Sequence, residues 1–416
     1  MKPEQIRSVL ILSPESPYPL HGGGQYRTAS LIHYFAMFAE VDLLLISENG
    51  QPALLPPALV RSQKVIPLPR HGKGALERYL RNARRAARGV SPLIDRLSGL
   101  ASEIAEAIGE ARYDLGVIEH FWLAPYIVQM EAACKETVLD LHNVESMLHR
   151  RCAITGNWLV SAGHKRFSKV TQELESKLLP RFSLVLATSA ADQAVAQSIA
   201  PSATIAVYPN ALPAVEAPQI SQKPLRDSKG PPVIVFSGNF EYHPNIDAVR
   251  FLVTEIWPEV RKRNPEVRLR LVGRGDSFIR KFLRSEPGIE VSGPVPDARP
   301  EIAAAALVIA PLRAGSGTRI KILEAWSAGR AVLATPLAAE GLDARDGDNI
   351  ALAATAPAFS ESILRLLSDD GTRQRLGNHG RRTFERNYTW QAAWKGLELN
   401  LQLTRLKQLS RYTGTF

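Results

Sequence analysis

The chain of 416 residues carries short apolar runs that are mostly continuous and are separated by stretches of helical period. Continuous apolar runs, as opposed to alternating ones, are typical of strands buried on both faces of a parallel sheet. Their regular alternation with helical stretches predicts doubly wound α/β domains. The runs lie at 9–13, 41–47, 115–120, 137–142, 184–189, 233–238, 267–273, 289–295, 307–312, 331–336 and 349–354.

One polar break rich in Pro, Ser and Lys, at 212–232, divides these runs into two sets. A single hydrophobic core rarely grows beyond about 250–300 residues, so two domains are expected. We predict two Rossmann-like domains, 1–211 and 233–385, that face each other across a cleft. The long helical pattern at 386–416 is predicted to pack back toward the first domain. Ligands of such sheets bind outside the carboxyl ends of the strands.

The net charge of +10 suggests an anionic partner, such as nucleic acid, a membrane surface or a phosphorylated ligand. Between residues 61 and 96 there are ten Lys or Arg and two Asp or Glu. Within this range, helical spacing places four arginines on one helix face: Arg78, Arg81, Arg85 and Arg88. This face is either a solvated basic surface or a patch that binds anionic lipid headgroups or a lipid-diphosphate acceptor. No recognition module or interleaved aromatic platform accompanies them, so we expect no nucleic-acid partner.

Neither cysteine belongs to a CxxC motif, and the N-terminal apolar run is too short for a signal peptide. The longest apolar run is about half of what a bilayer crossing requires. These features predict a cytoplasmic protein, which the basic helix could hold at the inner face of a membrane.

Two strand-end loops combine glycines with a cation in the first turn of the next helix. The first has Gly22, Gly23 and Gly24 before Arg27, and the second, "GSGTRIKILEA", has Arg319 and Lys321. A cation at a helix N-terminus is unfavourable by about 0.3–1 kcal/mol. A phosphate bound there would turn these cations into ligands. The alternative is a flexible turn with Arg27 in solvent in the first loop. In the second loop, Arg319 and Lys321 would point to solvent and form local pairs, such as Lys321 with Glu324.

Other chemistry is less strongly indicated. Gly238, at the end of the run at 233–238, is placed for a close backbone approach to a ligand. The only Asp-x-Asp sequence, Asp346-Gly347-Asp348, is interpreted as a surface turn, so we expect neither a metal nor a cofactor.

Several segments resemble glycosyltransferase family 4, whose members are retaining enzymes of the GT-B fold. They include "FSGNFEYHPNIDAVRFLVTEIWPEV", "LVGRG", "VSGPVPDARPEIAAAALVIAPL", "VYPNALP", "DLHNVESMLHRR" and "GSGTRIKILEAWSAGRAVLATPLAAEGLD", the last typical of a subgroup with GSGTRxKxLEA. The resemblance implies a C-terminal domain that binds a nucleotide-sugar donor and an N-terminal acceptor-side domain. It further implies transfer to a hydroxyl of a glycan or lipid-linked acceptor, as in cell-surface polysaccharide synthesis.

The same resemblance suggests roles for individual residues. Glu324 would contact the donor ribose, and the backbone around Val295 would read the base. The diphosphate would meet Arg319, Lys321 and the N–H groups of Ser316, Gly317 and Thr318, while Gly22–Gly24 would close over it. His120 would lie near the reacting sugar and acceptor, with His142 and Glu119 as further candidates, and Asn210 would lie at the interdomain hinge.

The sequence also departs from the family pattern. The common motif has two glutamates separated by seven residues, and here Glu324 matches the second while Ser316 stands in place of the first. The usual Arg/Lys pair is missing from "GNFEYHPN". These departures leave open an alternative, namely a catalytically silent protein that binds a nucleotide or sugar phosphate on the same scaffold.

Overall fold

A computed structural model describes residues 6–48, 50–69, 75–155, 158–214, 230–280, 282–283, 287–295, 297–315 and 320–413. Most of the predicted linker at 212–232 and all of Ser316 to Arg319 lie outside these residues. The chain divides into two compact units. The first comprises Met1–Asn210 with Ala393–Phe416, and the second comprises Ala211–Ala392.

The first unit is built on a seven-stranded parallel sheet in the order β3-β2-β1-β4-β5-β6-β7. Its central strands are buried along nearly their whole length, as the continuous apolar runs require. The strands are β1 (Ser8–Ser13), β2 (Glu40–Ser47), β3 (Ser62–Pro67), β4 (Tyr113–Glu119), β5 (Cys134–Asp140), β6 (Leu184–Ala187) and β7 (Ile205–Val207).

The helices of the first unit cover this sheet, and a short 3₁₀ helix, Phe121–Tyr126, follows β4. They are α1 (Gly23–Ala36), α2 (Ala75–Arg88), α3 (Pro92–Arg96), α4 (Ala101–Ile108), α5 (Ile127–Ala133), α6 (Glu145–Thr155), α7 (Trp158–Leu178) and α8 (Ala190–Ile199). The helix α8 shows how local sequence sets an element boundary. Its N-cap Ser189 accepts a hydrogen bond from the backbone N–H of Asp192, which satisfies a donor that the first turn leaves unpaired.

The second unit has a six-stranded parallel sheet in the order β10-β9-β8-β11-β12-β13. Its strands are β8 (Val233–Ser237), β9 (Arg268–Val272), β10 (Ile289–Gly293), β11 (Leu307–Ala310), β12 (Val332–Ala334) and β13 (Ala351–Leu352). Its helices are α9 (His243–Phe251), α10 (Trp257–Arg263), α11 (Asp276–Arg280), α12 (Arg299–Ala304), α13 (Ile320–Ser327), α14 (Pro336–Ala339), α15 (Ala356–Ser368) and α16 (Asp370–Asn387).

The last helix, α17 (Trp390–Thr413), begins in the second unit and belongs to the first from Ala393 onward. The indole N–H of Trp394 donates to the Oγ of Ser30 in α1 at 3.0 Å. Among the residues described, no helix combines the length and the hydropathy needed to cross a membrane.

The predicted fold class of two doubly wound, parallel-sheet α/β domains is confirmed. In each sheet the strand order reverses once, between β1 and β4 in the first unit and between β8 and β11 in the second. Such a reversal opens a crevice at the carboxyl ends of the two strands, where ligands of doubly wound sheets bind. Each unit therefore presents one crevice, flanked by the loops that leave these strands.

Candidate functional site

In the first unit, His120 lies immediately after β4 with φ +66° and ψ 139°, a conformation that is costly for a residue with a Cβ atom. Its backbone N–H donates to the carbonyl oxygen of Asp140 at 3.0 Å, which ties together the ends of β4 and β5. The imidazole is stacked between Trp122 and His142, with centroid distances of 4.1 and 3.5 Å. Strain of this kind persists only where the surroundings impose it, and it concentrates at functional sites.

The environment of His120 favours a neutral imidazole. Burial and the neighbouring His142 lower the pKa of His120 to about 4. Its Nε2 lies 3.3 Å from Oε1 of Glu15, and its buried Nδ1 has no hydrogen-bond partner among the described residues. A neutral imidazole with one uncommitted nitrogen has the protonation state that a general base requires at neutral pH.

Asp140, whose carbonyl oxygen accepts from His120, forms a buried ion pair with Arg27 that the sequence did not predict. The Arg27 guanidinium donates through Nε and Nη2 to the two carboxylate oxygens of Asp140 at 2.7 and 2.5 Å. Its Nη1 donates to the carbonyl oxygen of Tyr208 at 2.6 Å and to Oδ1 of Asn210 at 3.1 Å. Both expectations for Arg27, a phosphate ligand or a solvent-exposed cation, are therefore wrong. The guanidinium is committed to a carboxylate and to the segment that follows β7.

Glu119 and His142 complete this polar cluster. His142 donates from Nε2 to Oε2 of Glu119 at 2.7 Å, and the same nitrogen lies 3.4 Å from Oδ2 of Asp140. Burial alone would lower the pKa of His142, but the hydrogen bonds to Asp140 and Glu119 outweigh it and raise the pKa to about 9. Burial and the charge of Asp140 raise the pKa of Glu119 to about 7. For Asp140, burial raises the pKa, but the charges and hydrogen bonds of Arg27 and His142 together outweigh it and hold the pKa well below its usual range.

Glu119, Asp140 and His142 are also a group that could hold a metal ion, since one ligand atom from each lies within 4.8 Å of the others. The cluster, however, already contains its own cations. Both oxygens of Asp140 accept from Arg27, and Oε2 of Glu119 accepts from His142 and from Oγ1 of Thr28 at 3.1 Å. Two carboxylates matched by a guanidinium and an imidazolium form a compensated set, so a metal would have to displace an existing partner.

The raised pKa of His142 gives a prediction for the pH dependence of stability. The folded protein holds the His142 proton more tightly than the unfolded chain does, so this contribution is fully present below about pH 6.5 and is lost as the pH rises through about 9. We expect the difference in free energy of unfolding between the wild type and His142→Gln to shrink across this range. Urea unfolding at a series of pH values measures it. A difference that stays constant from pH 6 to 9.5 would contradict the assignment.

The three glycines at the start of α1 lie beside the carboxylate of Glu15, which Gly24 approaches most closely. Gly22 is the extended N-cap of α1 and Gly23 is its first residue. A Cβ atom on Gly24 would lie 1.8 Å from Oε1 of Glu15, so only glycine fits there while Glu15 keeps this position. Because Oε1 of Glu15 also contacts His120, this carboxylate connects the glycine loop to the strained histidine. Glu15 was not predicted, and its only signal in the sequence was its position in the loop after β1.

In the second unit, three residues from separate segments converge at the carboxyl end of β8. Nζ of Lys321, in the first turn of α13, donates to Oδ1 of Asn245 at 2.9 Å and lies 4.3 Å from the ring centroid of Phe236. A Cβ atom on Gly238 would lie 3.1 Å from this Nζ. The lysine amine thus lies at the crevice between β8 and β11, beside the glycine that the sequence singled out. Asn245, which positions the amine, was not predicted.

The backbone around Gly238 is held by a second glycine loop. The N–H of Gly238 donates to the carbonyl oxygen of Val272 at 2.9 Å. Gly273 has φ +141°, and a Cβ atom there would lie 1.9 Å from the carbonyl oxygen of Gly238. The loops after β8 and β9 are therefore in direct backbone contact, which explains why "LVGRG" needs glycine at this position.

Glu324 lies one turn after Lys321 on α13 and is half-buried. Burial raises the pKa of its carboxyl to about 7, with Lys321 acting in the opposite direction and Asp297 raising it further. The helix α12, which follows the loop that carries Val295, packs against α13. The structure thus places Gly238 beside the Lys321 amine, with Glu324 one turn further along α13. Ser316, Gly317, Thr318 and Arg319 fall outside the described residues.

Two further sequence predictions have a place in the structure. Asp346, Gly347 and Asp348 form a turn, closed by a hydrogen bond from the N–H of Gly347 to the carbonyl oxygen of Ile350 at 2.8 Å. In the predicted basic face of α2, Arg88 is exposed and Arg81 lies 3.7 Å from Glu77. Arg85 is largely buried in an ion pair with Asp95 at 2.7 Å, so it does not belong to an exposed face. The side chain of Arg78 is not among those described.

Comparisons with known proteins identify the fold and one domain. Residues 231–369 match the family model described as "Glycosyl transferases group 1". No curated protein sequence matches the chain. Solved structures match along nearly the whole chain. Sucrose-phosphate synthase from Thermosynechococcus elongatus has 15% identity and a TM-score of 0.70, covering 98% of this chain and 100% of that one.

Two other solved structures illustrate the range of the similarity. Anabaena HepE in complex with UDP and glucose has 17% identity and a TM-score of 0.64, covering 96% and 100% of the two chains. An α,α-trehalose 6-phosphate synthase from Burkholderia multivorans has 14% identity and a TM-score of 0.68, covering 99% of each chain. The chain therefore has the fold of GT-B glycosyltransferases, and its second unit carries a group 1 glycosyl transferase domain.

Proposed function

We propose that this protein is a retaining glycosyltransferase of family 4, in the subgroup with a GSGTRxKxLEA segment. It would move a sugar from a nucleotide-sugar donor to a hydroxyl of a glycan or lipid-linked acceptor, in the synthesis of a cell-surface polysaccharide. The observation that carries the proposal is the convergence of Lys321 and Gly238 at the strand-order reversal of the second unit, with Glu324 one turn away. This is a site for a diphosphate attached to a ribose.

The chemistry of glycosyl transfer requires such a site. The anomeric carbon passes through an oxocarbenium-like state while the nucleoside diphosphate leaves and gains negative charge. A cation held in place before the reaction stabilises that charge more than it stabilises the bound donor. Lys321 meets this requirement because Asn245 and the Phe236 ring fix its amine. Arg319 and the N–H groups of residues 316–319 would contribute to the same task.

In the first unit, we propose that His120 acts at the reacting sugar and acceptor, with Glu15 and the glycine loop beside it. Its neutral imidazole suits an interaction with an acceptor hydroxyl, whereas a charged one would repel an oxocarbenium-like centre. His142 is better suited to a positioning role, since its Nε2 is committed to Glu119 and its ring stacks on His120.

We further propose that transfer needs no divalent metal, since Lys321 and Arg319 supply positive charge at the diphosphate. The exposed arginines of α2 would hold the protein at the cytoplasmic face of an anionic membrane, where a lipid-linked acceptor is found. The structure of HepE contains UDP and glucose, which makes UDP-sugars the first donors to try.

A donor screen tests the proposed function. UDP-, GDP- and other nucleotide sugars are added in a thermal-shift assay, and those that bind are incubated with the protein to detect hydrolysis. We expect one donor class to raise the melting temperature, because ligand at about 100 times its dissociation constant adds about 2.7 kcal/mol. We also expect slow sugar release that persists in a chelator.

Two results would oppose this proposal. Tight binding without release of sugar, in the presence or absence of candidate acceptors, would favour the catalytically silent binding protein. Loss of activity in a chelator with recovery on adding Mn²⁺ or Mg²⁺ would refute metal independence alone, and would direct attention to Glu119, Asp140 and His142.

A further inference from the structure

The helical hairpin formed by α6 and α7 ends in a cluster of exposed apolar side chains. Ile154 is 81% exposed and Trp158 is 77% exposed, and Leu159 and Val160 beside them are also exposed. Among the described residues, four of the eleven large exposed apolar side chains fall within positions 154–160. Scattered exposed apolar residues need no explanation, but a cluster of this kind marks an interaction surface.

The hairpin is held along its length by bonds between its two helices. Near its base, the N–H and Oγ of Ser146 donate to the carboxylate of Glu175 at 3.1 and 2.5 Å. Near its tip, Oγ of Ser161 donates to the carbonyl oxygen of Ala153 at 2.5 Å. The apolar side chains are therefore presented by a braced element, and docking them requires little additional ordering of the backbone.

The charge around the tip has a single sign. From residue 146 to residue 172 the sequence contains no Asp or Glu and five Lys or Arg: Arg150, Arg151, Lys165, Arg166 and Lys169. Four of them are exposed and Arg151 is half-buried. A protein partner could neutralise this positive charge only with acidic side chains in defined positions. An anionic lipid surface neutralises it without any such geometric requirement.

The spacing between the apolar tip and the cations fits the depth of a membrane interface. With a rise of 1.5 Å per residue, Lys165 lies about 10 Å and Lys169 about 16 Å behind Trp158 along α7. Apolar side chains of interfacial helices enter about 5–10 Å into the boundary between headgroups and acyl chains. The long lysine side chains can then reach back to the phosphates while Trp158 occupies the level that tryptophan prefers.

The basic helix α2 lies beside this hairpin. It packs against α7, and a Cβ atom on Gly89, at its end, would lie 3.2 Å from Nη2 of Arg166. The exposed residues Arg84 and Arg88 thus extend the basic surface of α7. The sequence suggested only the charge of α2, and the fold adds an apolar anchor to it.

We propose that the tip of the α6–α7 hairpin, formed by Ile154, Trp158, Leu159 and Val160, inserts into the interface of an anionic membrane. The surrounding cations bind the lipid phosphates. This inference extends the membrane association that forms part of the proposed function and is independent of the transfer reaction.

The test is sedimentation with vesicles of phosphatidylglycerol and phosphatidylcholine. Replacing the tip by Trp158→Ser with Leu159→Ser should lower the partition constant at least about tenfold, since two large apolar side chains no longer enter the interface. Met37→Ser with Leu54→Ser, which removes two exposed apolar side chains elsewhere in the first unit, is the matched control and should change it less than about twofold. Equal binding by both double variants would overturn the proposal.

A second measurement locates the tip directly. Lipids brominated on the acyl chain should quench the fluorescence of the wild type more than that of Trp158→Phe, and equal quenching would contradict insertion. Sedimentation velocity without vesicles tests the alternative that the apolar tip binds a second copy of the chain. If the tip variant abolishes a dimer and leaves vesicle binding intact, the surface is a self-association site. Donor hydrolysis in solution, followed in the same samples, should be unchanged, which separates failure of this proposal from failure of the proposed function.

Discussion

Replacing Lys321 by glutamine is expected to lower kcat at least about a hundredfold while leaving the protein nearly as stable as the wild type. The amine donates a hydrogen bond to the neutral side chain of Asn245, and it lies over the ring of Phe236. It also lies where a Cβ atom on Gly238 would contact it. Glutamine keeps a polar group beside Asn245 and removes a cation from the first turn of α13, where a cation is unfavourable. The loss falls on the transition state instead, where a cation placed at the leaving diphosphate is worth about 3–4 kcal/mol.

A second cation of the same unit serves as the matched control. Arg313 donates to both carboxylate oxygens of Asp247 at 3.1 and 2.8 Å, and it lies over the ring of Phe251. Arg313→Gln should lower the melting temperature and leave kcat per folded molecule unchanged. If Lys321→Gln behaves in the same way, with activity lost only in step with folding, then Lys321 is a structural residue and the proposed diphosphate site is wrong.

A variant of Glu324 distinguishes binding of the donor ribose from binding of the diphosphate. Glu324→Ala should weaken the binding of a nucleoside diphosphate yet leave competition by inorganic diphosphate largely intact, whereas Lys321→Gln should weaken both. Isothermal titration with the two ligands gives these affinities directly. The opposite order, with inorganic diphosphate sensitive to Glu324, would contradict the assigned roles.

The second large effect concerns stability. Arg27→Met is expected to lower the free energy of unfolding by about 3–5 kcal/mol, the usual consequence of leaving one partner of a buried ion pair uncompensated. Asp140 is inaccessible to solvent and receives two of its hydrogen bonds from Arg27. The same substitution releases the carbonyl oxygen of Tyr208 and the side chain of Asn210. Urea unfolding followed by circular dichroism measures the change.

Two comparisons make this result specific. Arg181→Met breaks a pair with Glu131 in the same unit, where both side chains are about two-fifths exposed, and it should change stability little. The double variant Arg27→Met with Asp140→Leu removes both buried charges and should recover part of the loss. An Arg27→Met variant no less stable than Arg181→Met would refute the buried pair.

Local sequence predicted the strands that carry a long apolar run and missed two that do not. All eleven apolar runs correspond to strands, because a strand covered on both faces must be apolar at successive positions. The two strands that were missed lie at or near sheet edges. In β3, "SQKVIP", most side chains are at least partly accessible, and β7 has only three residues. The apolar stretches of β3, "VI", and β7, "IAV", are too short to stand out in the sequence, and the existence of both strands depends on pairing with a neighbour.

The residues of the candidate site also differ in how well local sequence predicted them. Local patterns singled out the glycine loops and Lys321, because each follows a recognisable strand or begins a recognisable helix, whereas Glu324 and His120 were proposed from the family resemblance. Local sequence misjudged Arg27, since a cation in the first turn of a helix reads the same whether it faces a phosphate or a buried aspartate 113 residues away. It also overlooked Glu15 and Asn245, whose importance comes from contacts that no local pattern records.

The sequence by itself therefore determined two parallel-sheet domains and the segments that leave their strands, because hydrophobic periodicity and glycine placement are local properties of the chain. Only the tertiary structure decided the strand order, and with it which strand-end loops share a crevice. It alone set the charge states as well, since the neutral His120, the protonated His142 and the committed Arg27 depend on burial and on partners from distant strands. A pKa or an ion pair is fixed by distances in space, and those distances arise only when the sheet assembles.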